Sequence, residues 1–457
     1  MAADINAVNS ELATDSRGQL LIDSIYDLDG QQVPTNIITA SREPGTTGFT
    51  NRPARFVRLV QPVPIPDRDL LDIPNYAFGF GGQSMREILG YAPVEPDGSV
   101  AITVPANTPF MISVLDANGR RIGARHNHWL QVAPGEVLHC TGCHTGNSEL
   151  PHGRLDSQPP SSNPGAQSLA GGLIGFVGTM ADLFGTETGQ TMAEVFDLRR
   201  PIANSSEAVR AIGLHPIYTD EWTDTTALTA DADIDYSYDP AWESPTDIPA
   251  ERSMIVDNLD PTLDSRIVIN YIDHIQTIWN RTRSPVNTVD SCVGCHTTQG
   301  DTVVAPGQLD LTAQIDGNTN QYRSFRELLR NDSEQWLDEN GLFTDRTRTC
   351  TETDEEGNTT ETTQTINIRA TMSASGANSS NAFFRCFEGG SCGYNPAANR
   401  TLPANCVEAA GATPDPATEN TVNHQGMLSD SEKRLISEWL DIGAQYYNNP
   451  FDLRLQE

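Results

Sequence analysis

A period-two alternation of apolar and polar residues before residue 130, two C-x-x-C-H pentapeptides, and two helical stripes beyond residue 260 predict an α+β multidomain chain. The expected order is an N-terminal antiparallel β-sandwich, a loop region around the first pentapeptide, and a mainly α-helical domain around the second. Across the 457 residues the boundaries fall at 1–135, 136–260 and 261–457, with an insertion at 344–425 inside the last.

The strands come first. Val100-Ala101-Ile102-Thr103-Val104 alternates apolar and small polar side chains, Pro105 to Pro109 turns the chain, and Phe110, Ile112 and Val114 resume the alternation. Asp116-Ala117-Asn118-Gly119 is a second turn, before an expected strand through Ile122 toward His126 and His128. Prolines in 61–66 and glycines from Gly79 to Gly82 punctuate the chain before it. The pattern is that of a small antiparallel sandwich or barrel, and Pro134-Gly135-Glu136-Val137-Leu138-His139 leads from it into the first pentapeptide.

Cys140-Thr141-Gly142-Cys143-His144 and Cys292-Val293-Gly294-Cys295-His296 carry the attachment spacing of c-type haem. Two thiols three positions apart reach the two vinyl groups of one porphyrin, and the adjoining histidine supplies the proximal iron ligand. A redox dithiol or half a zinc site needs only the C-x-x-C part. Two copies, each with its histidine, point to a dihaem cytochrome with two covalent haem c groups on Cys140, Cys143, His144, Cys292, Cys295 and His296. Such haem is attached outside the cytoplasm, so a periplasmic or extracellular, secreted protein is expected. Cys350, Cys386, Cys392 and Cys406 remain, an even number that reads as two disulfides with all three pairings open. A Cys₄ zinc site is the rival, although it would lack a C-x-x-C knuckle. No apolar run of about 20 residues is present to span a membrane. Met1-Ala2-Ala3-Asp4 has no basic and apolar signal region, so a removed or replaced secretion signal is expected.

Residues 145–260 carry little periodicity, yet Phe176, Phe184, Trp222 and Tyr236 suit a segment that wraps a cofactor or another domain. The third region is more regular. Val268, Tyr271, Ile272, Ile275, Ile278 and Trp279 predict a helix over 267–279 that leads into the second pentapeptide. Ser429-Asp430-Ser431-Glu432 is a capping box, followed by Leu435, Ile436, Trp439 and Leu440 on one face and by Gly443 as the stop. A helix before C-x-x-C-H crossing an aromatic C-terminal helix encloses a haem, so 261–457 resembles a mainly α-helical cytochrome c domain. The insertion opens with a Thr/Glu-rich run at 348–367 and reads as polar and loop-like, stapled by the four spare cysteines.

Together these segments carry a family resemblance. The sandwich strands, PGEVLHCTGCH, YIDHIQTIWNR…SCVGCH and HQGMLSDSEKRLISEWLDIGAQYYNNPF resemble the middle and C-terminal regions of the hydrazine synthase alpha subunit, over residues 15–452. Multihaem cytochromes of environmental bacteria share that layout. The resemblance implies the fold and the haem count. It does not imply hydrazine synthesis. In that subunit a tyrosine four residues past the first motif's histidine ligates the reactive iron, and here that position is Ser148.

Axial ligation decides what each haem can do: two strong ligands favour electron relay, and an open sixth position admits substrate. His152 is the candidate distal ligand at the first haem, with His126, His128 and Trp129 as hydrogen-bonding neighbours and an open position as the alternative. His424 is the candidate at the second haem, with Met427 competing. The iron ligands expected are therefore His144, His152, His296 and His424. His274 reads as helix surface or a propionate partner, and His139 as local packing. The 29 basic residues include a single lysine, Lys433, against 61 acidic ones, and the net charge of −32 disfavours nucleic acid and anionic membranes. Buried arginines are natural counter-ions for haem propionates. Asp231, Asp233 and Asp235, with Asp239, offer oxygen ligands for Ca²⁺ without the glycine and final glutamate of an EF-hand. The reading favoured is a dihaem c-type cytochrome for periplasmic or extracellular electron transfer, with redox partner proteins and self-assembly into a larger redox assembly or filament. Its alternatives are a haem oxidoreductase acting on a small nitrogen or peroxide substrate at an open first haem, and a partner- or carbohydrate-binding module that carries haem.

Overall fold

Strand Arg17–Ile22 alternates along its length, turning Leu20 and Ile22 into the interior. It pairs antiparallel with Val100–Pro105 and parallel with Val137–Cys140. The computed structural model that shows this describes residues 8–32, 52–80, 82–126, 128–145, 148, 158–185, 187–199, 212–238, 254–256, 265–283, 290–298, 304–390, 392, 403–408 and 422–455. Two compact units divide the chain. The first comprises Met1–Pro64, Arg86–Pro245 and Ser253–Val268, and the second Ile65–Met85, Thr246–Arg252 and Ile269–Glu457.

In the first unit a five-stranded sheet runs in the order Ile255–Val256, Arg266–Ile267, Met85–Pro93, Phe56–Val63, Met111–Leu115. Its Val57, Leu59 and Leu89 share one buried cluster with Leu20, Ile22, Val100, Ile102 and Val104 of the three-stranded sheet. The expectation of a wholly antiparallel arrangement fails at the pair Arg17–Ile22 and Val137–Cys140. A parallel neighbour cannot arrive by a hairpin; between the two the chain runs through Phe56–Val63, Met85–Pro93, Val100–Pro105 and Met111–Leu115 before returning. The Asp116–Gly119 turn forms, with Gly119 at φ +68° and its N–H on the Asp116 carbonyl at 3.0 Å. The strand expected through Ile122 does not. After a single bridge between Leu115 and Arg121 the chain to His126 is irregular.

Val100–Pro105 is buried on both faces, Ala101 and Thr103 as fully as Ile102. Helix Met192–Arg199 packs against it. The Asp97 carboxylate accepts the Met192 N–H at 2.9 Å, and the Ser99 hydroxyl accepts that of Ala193 at 2.9 Å. This helix lies in the stretch that shows little periodicity, yet Thr191 and Glu194 cap it reciprocally, side chain to backbone, at 3.2 and 2.8 Å. Phe176, Met192, Val195, Phe196 and Trp222 form a second cluster, and Tyr236 stacks on Phe56 at 6.0 Å. The apolar residues of this stretch thus wrap protein.

The second unit corrects the predicted fold class. Helix makes up only 20% of the described residues and strand 26%, spread over several small sheets, and those residues contain no mainly α-helical cytochrome c domain. The helix expected over 267–279 is divided. Arg266–Ile267 is a strand, Asn270 caps Asp273 N–H at 2.8 Å, and a π-helical turn, Tyr271–Ile275, runs into a short α-helix, Gln276–Asn280. Strand preference of the β-branched Ile267 and the Asn270 cap together outweigh the stripe's early positions. The Thr/Glu-rich run is a hairpin, Thr347–Thr353 with Thr359–Thr365, joined on its other edge by Cys406–Glu408. Alternating threonines are β-branched and suit a strand with no apolar face to bury.

Helix Asp430–Asp441 forms with its full capping box. Its stripe Leu435, Ile436, Trp439 and Leu440 is buried, and so are Arg434 and Glu438, ion-paired at 2.8 Å. Trp439 meets Tyr271 at 5.4 Å, Tyr271 meets Phe325 at 4.9 Å, and Phe325 meets Tyr446 at 4.8 Å between ring centroids. Each such aromatic pair contributes about 0.5–1.5 kcal/mol beyond the area it buries. No helix among the described residues is long and apolar enough to cross a membrane.

Candidate functional site

The first pentapeptide is set by the sheet. Cys140 ends strand Val137–Cys140 opposite Ile22, and the next residues keep pairing beyond the strand. Cys143 N–H donates to the Asp27 carbonyl at 2.9 Å, and Asp29 N–H to the Cys143 carbonyl at 3.0 Å. Gly142 must be glycine here, because a Cβ would lie 2.5 Å from Asp27 Cβ. Asp29 accepts the Thr145 hydroxyl at 3.0 Å. The Ser148 hydroxyl is bonded to the same carboxylate and is the main reason its pKa is lowered. His139, just before the motif, is paired with Asp23, which raises its pKa; it is local structure.

The His144 ring has company. His126 stands with its ring centroid 6.2 Å away and its plane at 82°. His126 Nδ1 is 2.6 Å from the His128 carbonyl, and burial holds its pKa below the ordinary imidazole value. His128 is exposed, as is Trp129. His152 and Asp239 lie outside the described residues.

At the second pentapeptide Ser291 caps a one-turn helix, Cys292–Cys295, by accepting Gly294 N–H at 3.1 Å. His296 Nδ1 lies 2.9 Å from the Pro306 carbonyl. An N–H held there leaves Nε2 as the nitrogen for a metal. His424 faces it with ring centroids 6.0 Å apart, its own Nδ1 3.0 Å from the Val422 carbonyl and Phe387 edge-on at 5.8 Å. Arg283 binds the surroundings together, donating to the carbonyls of Ile278 and Met427 at 2.9 and 2.8 Å and pairing with Glu432. Burial lowers the pKa of both histidines, and repulsion from His424 adds to the effect at His296. A neutral imidazole is the form that ligates metal.

These residues fit haem. The four motif cysteines are free thiols. Burial pushes the Cys140 thiol up to about 11 and raises that of Cys292 as well. Imidazole nitrogens sit about 2 Å from a bound metal, with the ring centre about 1 Å beyond, so imidazoles sharing one iron have centroids roughly 6 Å apart.

Other sequence candidates resolve differently. The spare cysteines form Cys350–Cys406 and Cys386–Cys392, one of the three open pairings. Cys386, Cys392 and His424 are the one group of three metal-ligating atoms lying close together among the described residues, but disulfide sulfurs are not thiolate ligands. His274 is buried and its Nδ1 accepts Asn270 N–H at 3.0 Å, so it serves the start of its own helix. Asp231 is held by Arg52 at 2.8 Å and Arg55 at 3.3 Å. Buried Arg434 pairs with Glu438 and part-buried Arg454 with Asp273. Buried Arg58 instead donates to the Tyr91 hydroxyl at 3.1 Å and the Gly119 carbonyl at 3.0 Å.

Comparison with known proteins relates one part of the chain to a described family. Residues 52–145 match the family model of the hydrazine synthase alpha subunit middle domain, a segment that ends just past the first pentapeptide. A chain of the solved Kuenenia stuttgartiensis hydrazine synthase is 16% identical, with a TM-score of 0.40, over 95% of this chain and 44% of that one. This chain therefore spans less than half the length of that relative. No curated protein matches.

Proposed function

We propose that this protein is a dihaem c-type cytochrome of the periplasm or cell exterior, carrying electrons as one unit of a larger redox assembly. The observation that carries the reading is the pairing of a complete C-x-x-C-H with a facing imidazole, His296 and His424 at 6.0 Å. The family match over residues 52–145 supports redox work for the first unit. Ser148 stands where the alpha subunit has its iron-ligating tyrosine, and its hydroxyl is spent on Asp29, which argues against hydrazine synthesis here.

Cys140 and Cys143, and Cys292 and Cys295, would hold one porphyrin each through thioethers, with His144 and His296 as proximal ligands. Haem, when bound, supplies a one-electron iron couple. The chain's own part is to fix the imidazoles: Pro306 and Val422 carbonyls orient His296 and His424, and the Arg283 bonds keep the loop before Ser429 against the helix leading to Cys292. A net charge of −32 favours cationic redox partners and predicts transfer rates that fall with ionic strength. Pyridine haemochrome assay and intact mass test the reading. Two haems that survive denaturation are expected, falling to one in Cys140→Ala/Cys143→Ala. Haem extractable by acid acetone would overturn it.

A further inference from the structure

A histidine other than His152 faces His144 in this structure, His126, with ring centroids 6.2 Å apart. We infer that His126 is the distal iron ligand opposite His144, closing the first haem to substrate; this rests on the dihaem reading. The two sites share one geometry. His144 and His126 have ring centroids 6.2 Å apart, as His296 and His424 have at 6.0 Å, and both values match two imidazoles on one metal.

The nitrogen assignment repeats as well. His424 Nδ1 lies 3.0 Å from the Val422 carbonyl and His126 Nδ1 2.6 Å from the His128 carbonyl, each two residues away in the chain. In both, a backbone carbonyl fixes the Nδ1–H tautomer and turns Nε2 outward as the ligating atom. The irregular chain after the Leu115–Arg121 bridge is what lets His126 do this. A strand through Ile122 would send successive side chains to opposite faces.

His128 lies near, with its ring centroid 6.3 Å from that of His126. It is not a third ligand of one centre. Among the described residues the group of three ligating atoms within 4.8 Å of one another is Cys386, Cys392 and His424, and not this trio. His128 acts through its carbonyl, which positions the His126 ring.

Low-temperature EPR of the oxidised full-length protein, with CO titration of the reduced form, tests the inference. The unaltered protein should show two low-spin haems and bind no CO. His126→Ala should convert one of the two to high spin and bind one CO per chain, and added imidazole should restore the low-spin signal. His126→Met, which keeps a ligating side chain, should remain low-spin with a sulfur-to-iron charge-transfer band. His152→Ala should leave both haems low-spin. A His126→Ala protein with two low-spin haems, or a His152→Ala protein with one opened, overturns the inference while leaving the dihaem reading intact. Fewer than two covalent haems in the same samples would instead strike at that reading.

Discussion

The two pentapeptides are the same chemistry on different scaffolds. The first continues a parallel strand pairing and is held by backbone bonds to Asp27 and Asp29, with Gly142 pressed against Asp27. The second is a Ser291-capped turn of helix in a unit stapled by disulfides and filled with aromatic rings. The histidines that close the two pentapeptides differ accordingly. His296 Nδ1 has the Pro306 carbonyl at 2.9 Å, ten residues on, whereas His144 Nδ1 has its neighbour's Thr145 carbonyl at 3.4 Å. A short bond to a distant carbonyl fixes a ring better than a long one to the next residue. The pentapeptide is the same in both, and its surroundings set how each histidine ring is held.

The sharpest way to break the comparison is at His424. His424→Ala should turn the second haem high-spin and leave the first unchanged, while Met427→Ala leaves both low-spin; EPR separates the outcomes. If Met427→Ala instead abolishes a sulfur-to-iron band, the second site is ligated by Met427.

Disulfide removal comes next and should touch only the second unit. Cys350→Ser/Cys406→Ser opens a loop with a sequence separation of 56, and Cys386→Ser/Cys392→Ser one of 6. Loop-closure entropy puts the losses at roughly 4 and roughly 2 kcal/mol. Denaturant melts should give that order. The smaller loss should nonetheless disturb the second haem's spectrum more, since Cys392 Sγ lies 3.6 Å from His424 Nδ1.

The glycines sharpen the contrast. Gly142→Ala should cost about 1–3 kcal/mol by overpacking against Asp27. Gly294 is exposed within its helical turn, so Gly294→Ala should be neutral or stabilise by up to about 1 kcal/mol. Equal losses at both would mean that the two scaffolds treat the motif alike.

A pH dependence confined to the second unit is expected as well. Burial pushes Glu327 up to about 8, where it accepts the Asp310 N–H beside the Leu311 bond to the His296 carbonyl. A raised carboxyl pKa means the folded state binds the proton more tightly, so this stabilisation is full below about 4.5 and is lost as pH rises through about 8. Thermal melts from pH 5 to 9 should show the decline, and Glu327→Gln should flatten it.

What was legible in the sequence follows how local each signal is. The helix at Asp430–Asp441 could be read in full because its cap, stripe and stop lie within fifteen residues. Helix Met192–Arg199 carried the same kind of signal in Thr191-x-x-Glu194 and was hidden by its polar surroundings. The division of 267–279 and the hairpin at 347–365 were misread because a short stripe or a polar run fits more than one backbone, and neighbours choose between them. That the His126 ring faces His144 was not legible, since the expected strand gave it no reason to do so.

The sequence by itself determined two complete C-x-x-C-H pentapeptides, four spare cysteines and a net charge of −32, each a matter of residue type and short spacing. Only the tertiary structure decided which cysteines pair, that strand Val137–Cys140 lies parallel to Arg17–Ile22, and which histidine rings face one another. Such facts depend on long loops being closed in one way among many. The free energy that selects it comes from packing across the fold, which no local pattern encodes.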